Sequence, residues 1–307
     1  MQICMMQVIP ALLPFFVCSI LIGAAFTGTD IPLLRPIGRL CRMPKGSESL
    51  LVLGLLGGYP AGAQAISQAY KSGQLSKEDA HRLLGFCSNA GPAFLFGIAS
   101  ATFPYSWLPW ALWLIHIISA LATGMLLPGG NRNAVRLACS RSMNITEALE
   151  QAIRIMAKVC GWIILFRIIQ SFLDSLFLQR ISATERVGVI GLLELANGCL
   201  ELPVINDLGL RALLCSAFLS LGGLCVTMQT LSVTGSLGLG MYPIGKALQC
   251  TISLALTLVM QMLFLPTSEL TDYAPLLLAA CILFVVLFAL VFRKYEKNSS
   301  ISALVSV

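Results

Sequence analysis

Charge is scarce in this chain. Only 11% of its 307 residues are Asp, Glu, Lys or Arg, against roughly 25% in soluble domains. With 57% hydrophobic residues and a mean hydropathy of +0.85, that scarcity excludes water as the main solvent. Runs of alternating polar and apolar residues are also missing, which excludes a transmembrane barrel, because every barrel strand needs that alternation. In hydrocarbon the backbone must then satisfy its own N–H and C=O groups within helices. The expected fold class is all-α: a polytopic, integral membrane protein in one membrane domain over residues 1–307, since the links between apolar stretches are too short for a sizeable soluble domain.

Other absences narrow the function. The 11 cysteines are scattered singly with no C-x-x-C pair, so neither a disulfide framework nor a metal site is expected. No nucleophile elbow, phosphate loop, H-E-x-x-H or Rossmann fingerprint occurs, which leaves enzymatic chemistry and cofactors without support. Residues 1–10 hold no Lys or Arg, and Pro10 and Pro14 interrupt the apolar segment that follows, so it reads as a first transmembrane helix and not as a secretory signal. The net charge of +6 sits in links beside apolar spans, where membrane orientation and anionic lipid explain it and nucleic acid need not.

What is present is a series of apolar spans at about 8–27, 83–103, 108–127, 155–178, 211–233, 246–265 and 274–292, each long enough to cross a bilayer. Two further stretches, 47–70 and 187–205, are interrupted at their centres by Gly57-Gly58-Tyr59-Pro60 and by Ala196-Asn197-Gly198. Glycine and proline permit a turn there, which predicts two re-entrant helical hairpins. The positive-inside rule favours that reading. With both stretches as hairpins and the N-terminus outside, sixteen of the twenty Lys and Arg residues fall on the cytoplasmic side (Arg35, Arg39, Arg42, Lys45, Lys71, Lys77, Arg82, Arg132, Arg136, Arg141, Arg154, Lys158, Lys246, Arg293, Lys294 and Lys297) and three outside. If both stretches crossed fully, the count would be ten against nine. The C-terminus is then cytoplasmic.

The same model exposes an internal repeat, residues 8–127 and 155–265, followed by the last span at 274–292. Gly54-Leu55-Leu56 answers Gly191-Leu192-Leu193, and Phe86-Cys87-Ser88-Asn89-Ala90-Gly91 answers Phe218-Leu219-Ser220-Leu221-Gly222-Gly223 as F-x-S-x-x-G. An odd number of crossings inverts the second unit, an arrangement that places a site at the bilayer midplane between broken elements. Candidate solute- or ion-binding residues are Tyr59 and Gln64 in the first hairpin, and Ser88 and Asn89 beside the helix-breaking Pro92. Glu194 and Asn197 in the second hairpin and Gln229 in the span 211–233 complete the set. Freed carbonyls at Ser88-Asn89 suit a cation or a polar solute. Arg167 and Asp174 share one helix face and form a candidate charge pair, with Glu194 as an alternative partner for Arg167. His116, alone on an apolar helix, reads as a hydrogen-bonded core residue. Ser76-Lys77-Glu78-Asp79 reads as the capped start of a short cytoplasmic helix.

Val8-Ile9-Pro10-Ala11-Leu12-Leu13-Pro14-Phe15-Phe16, Gly58-Tyr59-Pro60-Ala61-Gly62-Ala63, Leu75-Ser76-Lys77-Glu78-Asp79-Ala80 and Phe86-Cys87-Ser88-Asn89-Ala90-Gly91-Pro92 together resemble the YlbJ-type sporulation integral membrane proteins, within the nucleoside-recognition or gate-domain group. The likeness continues through Gly191-Leu192-Leu193-Glu194 and Gly222-Gly223-Leu224-Cys225-Val226-Thr227-Met228-Gln229. The resemblance implies a role in spore coat or cortex formation and a fold similar to concentrative nucleoside transporters. The expected function is therefore a transporter-like protein that moves a small polar solute, such as a nucleoside or an ion, coupled to a cation or proton. The alternative is a membrane anchor or scaffold that recruits sporulation partners through its basic segments, especially 128–158. The expected partners are the lipid bilayer, the unidentified solute and, compatibly, further copies of the chain.

Overall fold

In the computed structural model the structure describes residues 6, 8–26, 32–130, 143–265 and 272–305. Arg132, Arg136 and Arg141 of the expected cytoplasmic cluster lie outside the described residues. Helices dominate and no strand occurs among the described residues, as the composition requires. In chain order they are α1 (Ile9–Phe26), α2 (Arg35–Leu40), α3 (Glu48–Leu56), α4 (Ala61–Lys71), α5 (Lys77–Leu84), α6 (Pro92–Gly97), α7 (Trp107–Leu126), α8 (Ile145–Leu176), α9 (Ala183–Leu193), α10 (Leu195–Glu201), α11 (Leu208–Leu221), α12 (Gly223–Thr234), α13 (Tyr242–Phe264) and α14 (Ala274–Val305).

Among the described residues four helical stretches are long and apolar enough to cross a membrane: Trp107–Leu126, Leu208–Leu237, Tyr242–Phe264 and Ala274–Val291. The remaining expected spans depart from that standard for visible reasons. α8 runs for 32 residues but carries Lys158, Arg167 and Asp174, and the span expected at 83–103 is split into α5 and α6 by an irregular stretch, 85–91.

Local chemistry sets the helix ends. Ser76 caps α5 by accepting from Asp79 N–H at 3.0 Å, as its motif predicts. Asn144 and Ser182 open α8 and α9 with reciprocal capping boxes to Glu147 and Glu185, and Asp207 caps α11 by accepting from Leu210 N–H. Each such cap is worth about 1 kcal/mol. Pro92 stands at the first position of α6, where its missing N–H costs nothing. Between α11 and α12, Gly222 has φ of 75°, in the left-handed region that an L side chain resists, and the helix is interrupted there.

Long-range hydrogen bonds order the ends of these helices. At one end Arg82, 3% exposed, donates to the carbonyls of Gly124, Leu127, Pro128 and Arg42, clasping the end of α7 to the last turn of α5. Met241 N–H donates to His81 O there, and Ser67 Oγ donates to Thr234 O. At the other end Arg211 donates to Thr102 O, Gln261 donates to Gly209 O, and Arg186 bridges Asp174 and Glu201. The broken helices α5–α6 and α11–α12 therefore run in opposite directions.

The two hairpins also approach from opposite ends. α3 and α4 fold against each other where Gly54 meets Gly62, and the chain turns at Gly57-Gly58-Tyr59-Pro60. α9 and α10 fold where Gly191 meets Gly198, and the Arg186–Glu201 ion pair at 2.8 Å closes their open end. The second turn lies at Glu194, two residues before the expected Ala196-Asn197-Gly198, which is helical. The Glu194 carboxylate caps α10 and so fixes the start of the second arm.

Candidate functional site

Tip and break pack together in each half. In the first, Gly58 lies against the backbone of Gly91, and Gly54 and Gly62 press on the Cys87 carbonyl. In the second, Gly223 lies against the carbonyls of Gly191 and Leu192, and Gly191 presses on the Phe218 ring. Glycine is required at these contacts because a Cβ would overlap the neighbour. Both tips then border one small cavity of about 50 Å³, lined by Gly58, Tyr59, Gly91, Glu194, Ala196 and Gln229 among apolar side chains from α1, α6 and α8. That volume suits water or a small ion; a drug-sized ligand needs several hundred Å³.

A wider polar cleft of about 350 Å³ opens toward the end where Lys71 lies, lined by Gln64, Ser67, Gln68, Lys71, Gln151, Arg154, Lys158 and Ser232. Gln229 borders both the cleft and the cavity. A neighbouring cleft of about 240 Å³ shares Gln64, Gln68 and Gln151. Gln64 therefore belongs to the approach and not to the cavity.

Glu194 is 2% exposed, and its two carboxylate oxygens accept from the N–H groups of Ala196 at 2.9 Å and Asn197 at 2.7 Å. Carboxylate at a helix N-terminus is favoured by the local dipole, which offsets part of the desolvation cost. Asn197 is buried, and its side-chain Nδ2 finds no hydrogen-bond partner among the described residues. Gln229 donates to Cys225 Sγ at 3.3 Å.

At the first break Asn89 donates to Phe86 O at 2.7 Å, and its Oδ1 accepts from Gln249 at 2.9 Å. The hydroxyl of Ser88 is buried and unpartnered among the described residues. Ala90 N–H donates to His116 Nε2 at 3.2 Å, so His116 is a buried hydrogen-bonded group that serves the broken backbone.

The residues that sequence reasoning missed are Lys246 and Gln249. Counted as a cytoplasmic cation, Lys246 is instead 3% exposed in the core. Its ammonium donates to Ser88 O, to Gln249 Oε1 at 2.6 Å, to Tyr59 Oη at 3.3 Å and to Asn89 Oδ1 at 3.4 Å. The rings of Tyr59 and Tyr242 stand 5.4 and 5.8 Å from Nζ. Burying an ammonium costs several kcal/mol. Charge-assisted hydrogen bonds of about 1.5–3 kcal/mol each and aromatic faces of about 1 kcal/mol offset that cost. The signal was the spacing: Lys246 and Gln249 stand three residues apart on one face of an apolar helix.

The charge pair expected between Arg167 and Asp174 is not made. Asp174 receives two hydrogen bonds from Arg186, at 3.0 and 3.3 Å, while Arg167 lies 3.6 Å from Glu201 and donates to Gln170. Two turns of helix hold Arg167 and Asp174 apart, and the hairpin's open end brings each a nearer partner. Among the described residues no cluster of three His, Cys, Asp or Glu side chains is placed to hold a metal ion.

The chain is similar to the sporulation integral membrane protein YlbJ of Bacillus subtilis (strain 168), with 27% identity over 233 residues, 66% of this chain and 56% of that protein. The YlbJ-type likeness read from the motifs holds. With it and the apolar helices, the chain is an integral membrane protein. It spans little more than half the length of this relative. No family model and no solved structure matches it.

Proposed function

We propose that this protein acts in sporulation as a transporter-like membrane protein, moving a small polar solute such as a nucleoside or an ion through the space between its two hairpin tips. The sporulation role follows the name of the YlbJ relative. The observation that carries the transport reading is the convergence of both hairpin tips on one cavity, reached from one end by a polar cleft that meets it at Gln229. Inverted broken elements around a central site are the architecture of secondary transporters, and half-length hairpins dipping from opposite faces fit it.

By the positive-inside rule the end with Lys71, Arg82, Arg154 and Lys158 faces the cytoplasm, so the cleft opens inward. The cleft is large enough to admit a small polar solute and the cavity is not, so passage requires the tips to part. Coupling is to a cation or a proton. On this reading Gln229 is the throat, Tyr59 and the backbone of the first break form one wall, and the Glu194 turn forms the other.

The test is uptake by the purified full chain in liposomes, screened with nucleosides, amino acids, small organic acids and inorganic ions. We expect uptake of one class, and we expect Gln229→Leu to lose most of it while keeping its Tm. Absence of both uptake and thermal shift across the screen would overturn transport in favour of a membrane anchor.

A further inference from the structure

The first break has the composition of a cation site. Within reach of one point lie the Ser88 carbonyl, Asn89 Oδ1, Gln249 Oε1 and Tyr59 Oη, all neutral oxygens, in a place that excludes water. Oxygen sets of this kind, drawn from unwound backbone and amide side chains, coordinate alkali cations in broken transporter helices. Here that point is occupied by Lys246 Nζ, carried in on α13 from the other half of the chain, and among the described residues no carboxylate is hydrogen-bonded to it.

We infer that the first break is a cation-binding cage whose cation is the protein's own ammonium, so that no sodium or potassium ion binds there while Lys246 is in place. The assignment rests on four oxygens converging from three separate elements: the first hairpin tip, the break and α13. The tethered charge does structurally what a bound ion would do. It satisfies the freed Ser88 carbonyl and ties hairpin tip, break and α13 together, across 157 to 187 residues of sequence. Any coupling ion must then use another place. The occupancy of the cage does not depend on whether a solute crosses, so failure of the uptake screen would leave it untouched.

The experiment is thermal unfolding of the purified full chain at constant ionic strength, with sodium, potassium or n-propylammonium replacing choline. For the native sequence we expect no saturable change in Tm with any of these cations that depends on the cage oxygen of Asn89. For Lys246→Ala we expect a lower Tm in choline and a saturable rise, of about 3 °C or more, with n-propylammonium or an alkali ion that enters the vacated cage. A saturable rise with sodium or potassium in the native sequence that Asn89→Leu abolishes would place the ion in the cage and overturn the assignment, as would a folded Lys246→Ala that responds to none of the three. Gln249→Glu tests the same point without removing the lysine. It sets a carboxylate where an oxygen already lies 2.6 Å from Nζ but gives up the N–H that Asn89 Oδ1 accepts, so we expect it to lower Tm less beside Lys246 than in Lys246→Ala. An equal loss of Tm from Gln249→Glu with and without the lysine would overturn the presence of a cation in the cage.

Discussion

Between Leu84 and Pro92 the first broken helix stays irregular, whereas the second is interrupted only at Gly222 and resumes at Gly223. The first break leaves groups that it does not satisfy itself: His116 on α7 takes the Ala90 N–H, while α13, from the other half, serves the Ser88 carbonyl through Lys246 and Asn89 Oδ1 through Gln249. In the second half the main polar demand is at the hairpin tip, and Glu194 meets it within three residues. One half is completed from across the sequence and the other locally. A rearrangement that parts the halves would therefore be felt first at the Lys246 cage.

The sharpest way to break this comparison is at paired glycines. A Cβ on Gly54 would fall on the Cys87 carbonyl, a backbone group that cannot step aside, while a Cβ on Gly191 would meet the Phe218 ring. We expect Gly54→Ala to cost more than about 4 kcal/mol and to eliminate folded protein from the membrane. Gly191→Ala should cost about 1–3 kcal/mol, an overpacking penalty, and Phe218→Leu should restore part of it. Membrane abundance and Tm of the three variants measure this. Equal loss from both glycines, with no relief from Phe218→Leu, would mean that the two hairpins dock on equally rigid walls.

Glu194→Gln comes next. The carboxylate accepts two backbone N–H groups, and an amide presents one oxygen and one competing donor, so one buried N–H is left unmet. The expected cost is about 1–3 kcal/mol. Abundance and any uptake should fall in parallel, because the side chain shapes the turn. Normal abundance with lost uptake would instead make this carboxylate a participant in transport, and the second half would no longer be the structurally self-contained one.

The sequence legibility of this fold divides along the same line. Turns and breaks that arise from local chemistry were readable: Gly57-Gly58-Tyr59-Pro60 turns, Pro92 opens a helix after a break, and Ser76 caps α5. The second turn was misplaced by two residues because its cause is a side-chain cap at Glu194, not the glycine at 198. For Lys246 only the three-residue spacing to Gln249 was readable, because a lysine near the start of an apolar stretch otherwise looks like any interfacial cation. Its other partners, Tyr59, Ser88 and Asn89, lie in the other half of the chain. Arg167 and Asp174 failed for a related reason: helical spacing put them on one face, and only the folded hairpin offered Arg186 and Glu201.

The smallest effect is expected at that open end, and it sharpens the comparison by contrasting two arginines. Arg82 is buried and spends its donors on carbonyls, so salt has little access to it. Arg186 keeps about a third of its side chain exposed (31%) and bridges Asp174 and Glu201. Ion pairs of this exposure contribute about 1 kcal/mol or less, and screening shortens their reach to about 3 Å at 1 M salt. Arg186→Gln should therefore lower Tm slightly at low salt, and the difference from the native sequence should shrink as salt rises. The two acids, left with only the more distant Arg167, would then repel each other less in salt than in dilute buffer. A salt-independent loss would show that the Arg186 stem, packed along the hairpin, matters more than its charge, and that the second hairpin is closed by packing as the first is.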